Sequence, residues 1–272
     1  MNFMNQFRVD PDSVSLLRNE ADDTRLLRAL HVLEVVSHAS LPVSNSQLTA
    51  RTGIPKASMV RLTKELSCVG YLSEMPGQRG WVPGPRAAGL SLQILGNGQF
   101  RRECRTILRK VVEETGETCN LTVRDGDNVR YIERIETQEP LRLHLEVGSK
   151  APLHCTAGGK LFLSQLSTPA LASLLSNMVL EQRTPQTMTD PAKLTAALAQ
   201  LRTRNVGVDN EEFVTGMVGV AVPIRSPDGT TIAALVCHAA SARTPLHELE
   251  NRLPILQAAI KPVEQLLCSL AV

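Results

Sequence analysis

Residues 44–84 read SNSQLTARTGIPKASMVRLTKELSCVGYLSEMPGQRGWVPG, and this stretch decides how the chain is organised. Ser44 can cap a short helix carrying Leu48, and Gly53 then breaks it, because glycine accepts the left-handed backbone that ends a helix. Pro55 suits the first turn of a third helix, where a missing N–H costs nothing. In that helix Met59, Leu62, Leu66 and Val69 recur at helical spacing, which predicts a buried stripe. The opposite side shows Lys56, Ser58, Arg61 and Lys64. The following GYLSEMPGQRGWVPGP predicts two short strands around a Pro/Gly/Gln/Arg tip. Upstream, a helix is expected from Asp22 to about His38, with Leu26, Leu30 and Leu33 on one stripe. Three short helices, a tight RTGIP turn and a hairpin make the pattern of a winged helix-turn-helix over residues 22–84. Residues 1–21 are polar and aperiodic and read as a loose tail.

The whole chain has 272 residues, 43% hydrophobic and 21% charged, enough for two ordinary domains with real cores and too few charges for a disordered chain. Net charge is only +2, so the molecule is no polycation. Between Pro55 and Gly89, however, Lys56, Arg61, Lys64, Arg79 and Arg86 face only Glu65 and Glu74. A modest basic patch of this kind is usually a solvated face and means nucleic acid only together with a motif. The six cysteines are scattered without a CxxC pair, and the start, MNFMNQFRVDPDS, lacks the basic end and apolar core of a secretion signal. No apolar run approaches the ~18 residues of a membrane span. These features predict a cytoplasmic protein with reduced thiols, no cofactor and no metal.

Residues 85–99 read as a linker helix interrupted at Gly96-Asn97-Gly98, and residues 100–272 change character. Phe100–Thr115 is expected to be helical. TCNLTVRDGDNVRYIERI predicts a hairpin, with Cys119, Leu121 and Val123 alternating with polar residues. Leu141, Leu143, Leu145 and Val147 alternate again and predict a further strand. Helices are expected at 160–175 and 190–203, and strands at MVGVAVPI and TIAALVCH around the turn Ser226-Pro227-Asp228-Gly229. A last helix from Thr244-Pro245 carries leucines up to Leu270, with kinks or a split expected at Pro254 and Pro262. The second domain is therefore α/β, a mostly antiparallel sheet with helices packed on it.

With these elements in place, the chain resembles the IclR family of transcriptional regulators over nearly its full length. The resemblance is carried by TRLLRALHVLEVV, IPKASMVRLTKELSCVGYL, HCTAGGKLFLS and GVDNEEFVTGMVGVAVPIRSPDGTTIAALV, in order and at family-like spacing. It implies a winged-helix DNA-binding domain, a linker helix and a GAF-like effector domain. It also implies homodimers, often paired into tetramers, that repress or activate according to a bound metabolite, and no enzymatic activity. In the DNA-binding reading Arg28, Ser44, Lys56, Ala57, Ser58, Val60, Arg61, Lys64 and Arg79 face the operator. Arg61 can pair with guanine O6 and N7 or hold a phosphate, Val60 suits a thymine methyl, and Arg79 at the wing tip reaches a minor groove or the backbone.

In the second domain the resemblance implies that a small carboxylate is held by backbone amides at Ala157-Gly158, a helix start where unpaired N–H groups favour an anion. The family's pocket aspartate falls on Asp209, and a position often occupied by cysteine falls on Gly219. Two serine positions fall on Val236 and His238, so one hydroxyl becomes apolar and another becomes imidazole. Leu143 and Ala151 fall on the pocket wall. A protonated His238 would add a cation for the anion, whereas Asp209 would repel it unless it accepts from a ligand hydroxyl or ammonium. Asp209 could equally cap a local turn, and His238 could be a strand-end histidine bonded to backbone. Two other classes use the same residues: a cysteine-nucleophile enzyme built on Cys155 or Cys237 with His154, His238 and Asp209, and a metal- or thiol-based sensor. Neighbouring strand residues point to opposite faces, which argues against a His-Cys nucleophile pair, and no tight ligand spacing supports a metal.

Overall fold

The computed structural model describes residues 24–37, 39, 41–75, 79–95, 98–226 and 229–269. The chain divides into two compact units, the first ending at Ile94 and the second beginning at Leu95. The expected tail at 1–21, the helix ends at Asp22 and His38, the Gly96-Asn97 interruption, Pro227-Asp228 and Leu270 lie outside the described residues.

The first unit runs α1 (Arg25–Ser37), α2 (Asn45–Thr52), α3 (Lys56–Cys68) and a hairpin of β1 (Leu72–Glu74) with β2 (Trp81–Pro83). Ser44 closes a capping box: its Oγ accepts from Gln47 N–H at 3.3 Å, and Gln47 Oε1 accepts from Ser44 N–H at 2.8 Å. Gly53 ends α2 at φ 71, its N–H donating to the Thr49 carbonyl at 3.0 Å. Pro55 stands one position earlier than expected, at the cap itself, where its carbonyl accepts the Met59 N–H. The hairpin is tied to the helices by Trp81, which exchanges two backbone hydrogen bonds with Val43 and donates its Nε1 to Asn45 Oδ1 at 2.8 Å. Met59, Leu62 and Leu66 are buried with Val32, Val36, Leu48, Ile54 and Leu72. The expected α1 stripe is overturned, because Leu26 and Leu30 are exposed and Val32 and Val36 face the core. RLLRALHVLEVV is apolar on several sides, so leucine periodicity alone could not choose the buried one. Val69 is also exposed, since α3 has ended at Cys68.

After α4 (Pro85–Leu95), helix α5 (Gly98–Thr115) begins two residues before the expected start. The second unit is built on a six-stranded antiparallel sheet, order β5-β4-β3-β8-β7-β6. Its strands are β3 (Thr118–Asp125), β4 (Asn128–Ile135), β5 (Lys150–Pro152), β6 (Gly207–Asn210), β7 (Met217–Arg225) and β8 (Thr231–Ala240). Helices α6 (Ala157–Gln165), α7 (Thr168–Leu175) and α8 (Pro191–Arg204) cover one face. Helix α5, with α9 (Leu246–Glu250) and α10 (Leu253–Ser269), covers the other. The split between α9 and α10 is the one expected near Pro254, which enters the first turn of α10 without losing a bond there. The strand expected over Leu141–Val147 does not form. β5 pairs with Asn128–Arg130 of β4, and the 141–147 segment is held instead by side chains, Arg134 donating to the Leu143 carbonyl and Arg243 to that of Leu141.

The face under α6 is lined with small or absent side chains, and the space available explains HCTAGGK. A Cβ on Gly159 would lie 2.2 Å from the Leu153 carbonyl oxygen, and one on Gly207 would lie 1.9 Å from that of Ala157. Gly159→Ala should therefore lower the stability of the second unit by about 3 kcal/mol in denaturant unfolding, the upper range of overpacking costs. Gly89→Ala, in α4 with nothing within 4 Å, should be neutral or stabilising by up to about 1 kcal/mol.

Candidate DNA-reading face and effector cavity

On the first unit Lys56, Ala57, Arg61 and Lys64 are exposed along α3, as the spacing predicts. Ser58 and Val60 are half-buried, so Val60 is not the fully exposed apolar contact expected. It lies one residue from Met59, on the flank of the buried stripe. Ser44 is engaged in its capping box, and Arg28 is half-buried beside the α2–α3 turn, near His31, Gly53 and Pro55. Arg79 is exposed next to the wing tip, whose residues 76–78 lie outside the described ones. Arg61 Nε donates to Glu65 Oε1 at 3.2 Å, one turn along α3, and Arg25 Nη2 from α1 donates to the same oxygen. The hydrogen bond from Arg25 holds the Glu65 carboxyl below its ordinary value.

On the second unit a small cavity lies between the start of α6 and the sheet. Of the eight positions that the family resemblance placed on the pocket, seven line it: Leu143, Ala157, Gly158, Asp209, Gly219, Val236 and His238. Ala151 does not; it lies in the edge strand β5, opposite Val129. Free volume is about 30 Å³, room for about one or two water molecules. Thr156 caps α6, its Oγ1 accepting from Gly159 N–H at 3.2 Å and donating to the Pro152 carbonyl at 2.7 Å. The cap leaves the amides of Ala157 and Gly158, the first two of α6, without an acceptor among the described residues.

Strand register explains how the polar groups meet. Asp209 is opposite Gly219, which is opposite His238, so three strands place one row beneath α6. Along β4 an extra residue interrupts the ladder: Asn120 faces Arg134, yet Thr122 faces Tyr131. This bulge puts both Arg134 and Tyr131 on the α6 face, which strict alternation forbids. Arg134 is the residue the sequence reading missed. Its guanidinium donates to Asn120 Oδ1 at 2.9 Å, to Glu136 Oε1 at 3.1 Å and to the Leu143 carbonyl. Asn120 Nδ2 lies 3.0 Å from His238 Nδ1. With its oxygen already accepting from Arg134, the amide donates to Nδ1, and the imidazole carries its proton on Nε2, toward the Leu143 carbonyl. Leu143 thus becomes a strap across the cavity, tied down by Arg134.

The charges differ from those expected. Burial, helped by the Arg134 charge, pushes His238 down to about 3, so it is a neutral donor and not the expected cation. Arg134 is the cation at this end of the site. Asp209 does cap a turn, its Oδ1 accepting from Glu212 N–H at 2.8 Å, while its other oxygen has no partner among the described residues. Burial raises Asp209 to about 7, against that hydrogen bond and the Lys160 charge. Of the other polar residues near these turns, His154 bonds the Glu181 carbonyl, Glu211 accepts from Gly216 N–H, and Glu212 pairs with buried Lys160, all away from the cavity lining. Cys155 is raised to about 12 by burial, and Cys237 packs in the core on the far side of the sheet. No group of three His, Cys, Asp or Glu residues able to hold a metal is found among the described residues.

The two shifts have opposite consequences for stability. Asp209, raised from 3.8 to about 7, stabilises the fold fully at low pH and loses that contribution as pH climbs to about 7. His238, lowered from 6.5 to about 3, stabilises at high pH and loses its contribution as pH falls from 6.5. Between about pH 4 and 6.5 they oppose each other. Relative to wild type, Asp209→Asn should lose stability on acidification through this window and His238→Asn should gain it, read by thermal unfolding across pH.

Comparison with known proteins agrees with both units. Residues 26–76 match the IclR helix-turn-helix domain, and residues 92–264 match the bacterial transcriptional regulator IclR C-terminal domain. The "Probable transcriptional regulator SauR" of Cupriavidus necator is 35% identical over 242 residues, covering 89% of this chain and 96% of that one. The acetate operon repressor of Salmonella typhimurium is 31% identical, covering 77% of each chain. Among solved structures, the inducer-binding domain of a double mutant of the PobR transcription factor from Acinetobacter, in complex with 3-hydroxybenzoic acid, superimposes with a TM-score of 0.55 at 26% identity. That match covers 60% of this chain and 97% of the domain. With a winged helix-turn-helix before a GAF-like α/β domain, and family models matching both, the chain belongs to the IclR family of DNA-binding transcriptional regulators.

Proposed function

We propose that a small organic acid, bound in the cavity under the start of α6, sets this regulator's affinity for its operator. The carrying observation is the convergence on one cavity of two unpaired helix-start amides, neutral His238 and the half-free carboxyl of Asp209. The amides of Ala157 and Gly158 take the carboxylate, as helix starts favour anions. Asp209 accepts from a hydroxyl or ammonium elsewhere on the ligand, so a hydroxy- or amino-substituted acid fits better than a bare one. The PobR domain's complex with 3-hydroxybenzoic acid supports this class. The present cavity is smaller than any such ligand, so binding displaces part of its lining, and the Leu143 segment, which lies outside the sheet and is held by side-chain hydrogen bonds, is the part to move. The protein acts by binding and not by catalysis, as a cytoplasmic homodimer or a pair of dimers on double-stranded DNA. Arg28, Ser44, Lys56, Ala57, Ser58, Val60, Arg61, Lys64 and Arg79 make up its DNA-contacting set, within which Ser44 contributes through the backbone of its cap.

A thermal-shift screen of hydroxybenzoates and aliphatic hydroxy acids should find a stabilising ligand, and calorimetry with that compound tests the site. For a hydroxy acid, affinity should rise as pH falls from 8 to 6 in the wild type, because protonated Asp209 no longer repels the anion yet still accepts from the hydroxyl, and Asp209→Asn should flatten that dependence; an amino acid ligand should show the reverse direction. His238→Ala and Arg134→Gln should each weaken binding about tenfold or more, the loss of one buried hydrogen bond or its anchor. Unchanged affinity in all three variants would place the ligand elsewhere.

DNA binding should weaken steeply with salt, with a log–log slope of about −0.9 for each phosphate neutralised. Arg61→Ala should cost about 1–3 kcal/mol and relax selectivity at one base pair if Arg61 reads guanine. Equal weakening on specific and random duplexes would make it a phosphate contact.

A further inference from the structure

An acidic residue on a helix that meets DNA is electrostatically costly, since the duplex carries one negative charge per about 1.7 Å. Glu65 sits on α3 among Arg61 and Lys64, one turn from Arg61, with its side chain 41% exposed. Its carboxylate is not spent on the core. It accepts from Arg61 Nε at 3.2 Å, and the same Oε1 accepts from Arg25 Nη2. The Arg61 side chain is 74% exposed, and no acceptor among the described residues takes its Nη1 or Nη2.

We propose that Glu65 is a specificity-determining positioning residue: it clamps Arg61 through Nε so that the two Nη groups are presented as a fixed fork for guanine, and Arg25 anchors the clamp. The inference rests on α3 being the helix that reads DNA. An unclamped arginine has four rotatable bonds and pairs with any phosphate in reach. Holding Nε fixes the guanidinium plane, and Nη1 and Nη2 are then the pair left for a bidentate contact to O6 and N7. Arg25 makes the arrangement more than a pair between neighbours on one helix, because it comes from α1, 40 residues away in sequence. It fixes the carboxylate from a second direction and adds the cation that offsets its charge toward DNA. A solvated ion pair would be worth little here. A clamp is measurable because its two consequences have opposite signs.

The experiment uses the full chain and a randomised duplex library, with bound DNA sequenced, alongside affinity for a random-sequence duplex. Wild type, Glu65→Ala, Glu65→Gln, Arg25→Ala and Arg61→Ala are compared, with thermal unfolding to confirm that each folds. Glu65→Ala should bind the random duplex several-fold more tightly at low salt, because a negative charge has gone, while its preference at one guanine position falls by roughly an order of magnitude. Glu65→Gln should gain the same non-specific affinity but keep part of the preference, since its amide oxygen still accepts from Nε. Arg25→Ala should soften the same position without the non-specific gain. Arg61→Ala should erase that position. Unchanged preference in both Glu65 variants, with Arg61→Ala still erasing it, overturns the clamp and leaves the DNA-reading face intact. If Arg61→Ala alters no base preference, Arg61 does not read a base, and the premise itself fails.

Discussion

The second unit depends on how closely the start of α6 lies on the sheet. Gly159 stands against the Leu153 backbone and Gly207 against the Ala157 carbonyl, at separations that leave no room for even a methyl group. Gly158 is next tightest, with its Cβ position 3.0 Å from Thr122 Oγ1 and 3.2 Å from Val236 Cγ2. The small residues Gly219 and Ala221 of β7 continue this floor. A helix seated so low brings its first amides to the strand surface, where ordinary helix packing would interpose a layer of side chains. Thr156 then uses its hydroxyl for only one of the exposed donors. An anion-favouring spot within a closed, largely apolar layer is the result, and it follows from close approach before any charged residue is considered.

Buried charges around that floor fall into two kinds. On the far face, Glu117 accepts from Arg243 and Thr244, and Glu133 accepts from Arg101 and Arg105 of α5. These carboxylates are fully occupied and pin α5 and the α9 end of the chain to the sheet, the condition under which a buried charge is tolerable. Under α6 the accounts are left open. Asp209 has one oxygen engaged and one without a partner among the described residues. The Arg134–Asn120–His238 chain is completed by Glu136 and by the Leu143 carbonyl, a group on a segment outside the sheet. Glu136 steadies that segment from its other side: although partial burial works against it, hydrogen bonds from Arg142, Arg134 and His144 bring it down to about 2. Incomplete polar satisfaction in one place, against complete satisfaction elsewhere in the same sheet, supports the proposed effector site there.

The first unit shows the same economy on a smaller scale. A core of ten buried residues, among those described, supports three short helices, so rigidity comes from caps and ties: the Ser44 box, Gly53, and Trp81 bridging Val43 and Asn45. Exposed cations on α3 are then carried by a helix whose ends are fixed. Glu65 links that helix to α1, which makes the geometry of Arg61 depend on two elements and not on its own rotamer alone.

Local chemistry made much of this legible in the sequence. Gly53, Pro55 and the Met59–Leu62–Leu66 stripe sufficed for the turn, the helix and its buried face, because each acts within a few residues. Asp125-Gly126 and the alternation of Cys119, Leu121 and Val123 sufficed for the hairpin, and Pro254 for a break in the last helix. The Ala157-Gly158-Gly159 turn pointed to the place where the cavity lies. What remained invisible depended on partners distant in the chain. Which side of α1 is buried depends on α3, so the leucines misled where the valines face the core. The Leu141–Val147 alternation has a strand's period, but period alone supplies no backbone partner, and side chains distant in the chain, Arg134 and Arg243, take carbonyls of this segment instead. Arg134 looked like one more polar residue of a hairpin until the bulge turned it under α6. The charge of His238 could not be read at all from sequence, because protonation is decided by burial and by a guanidinium 104 residues away.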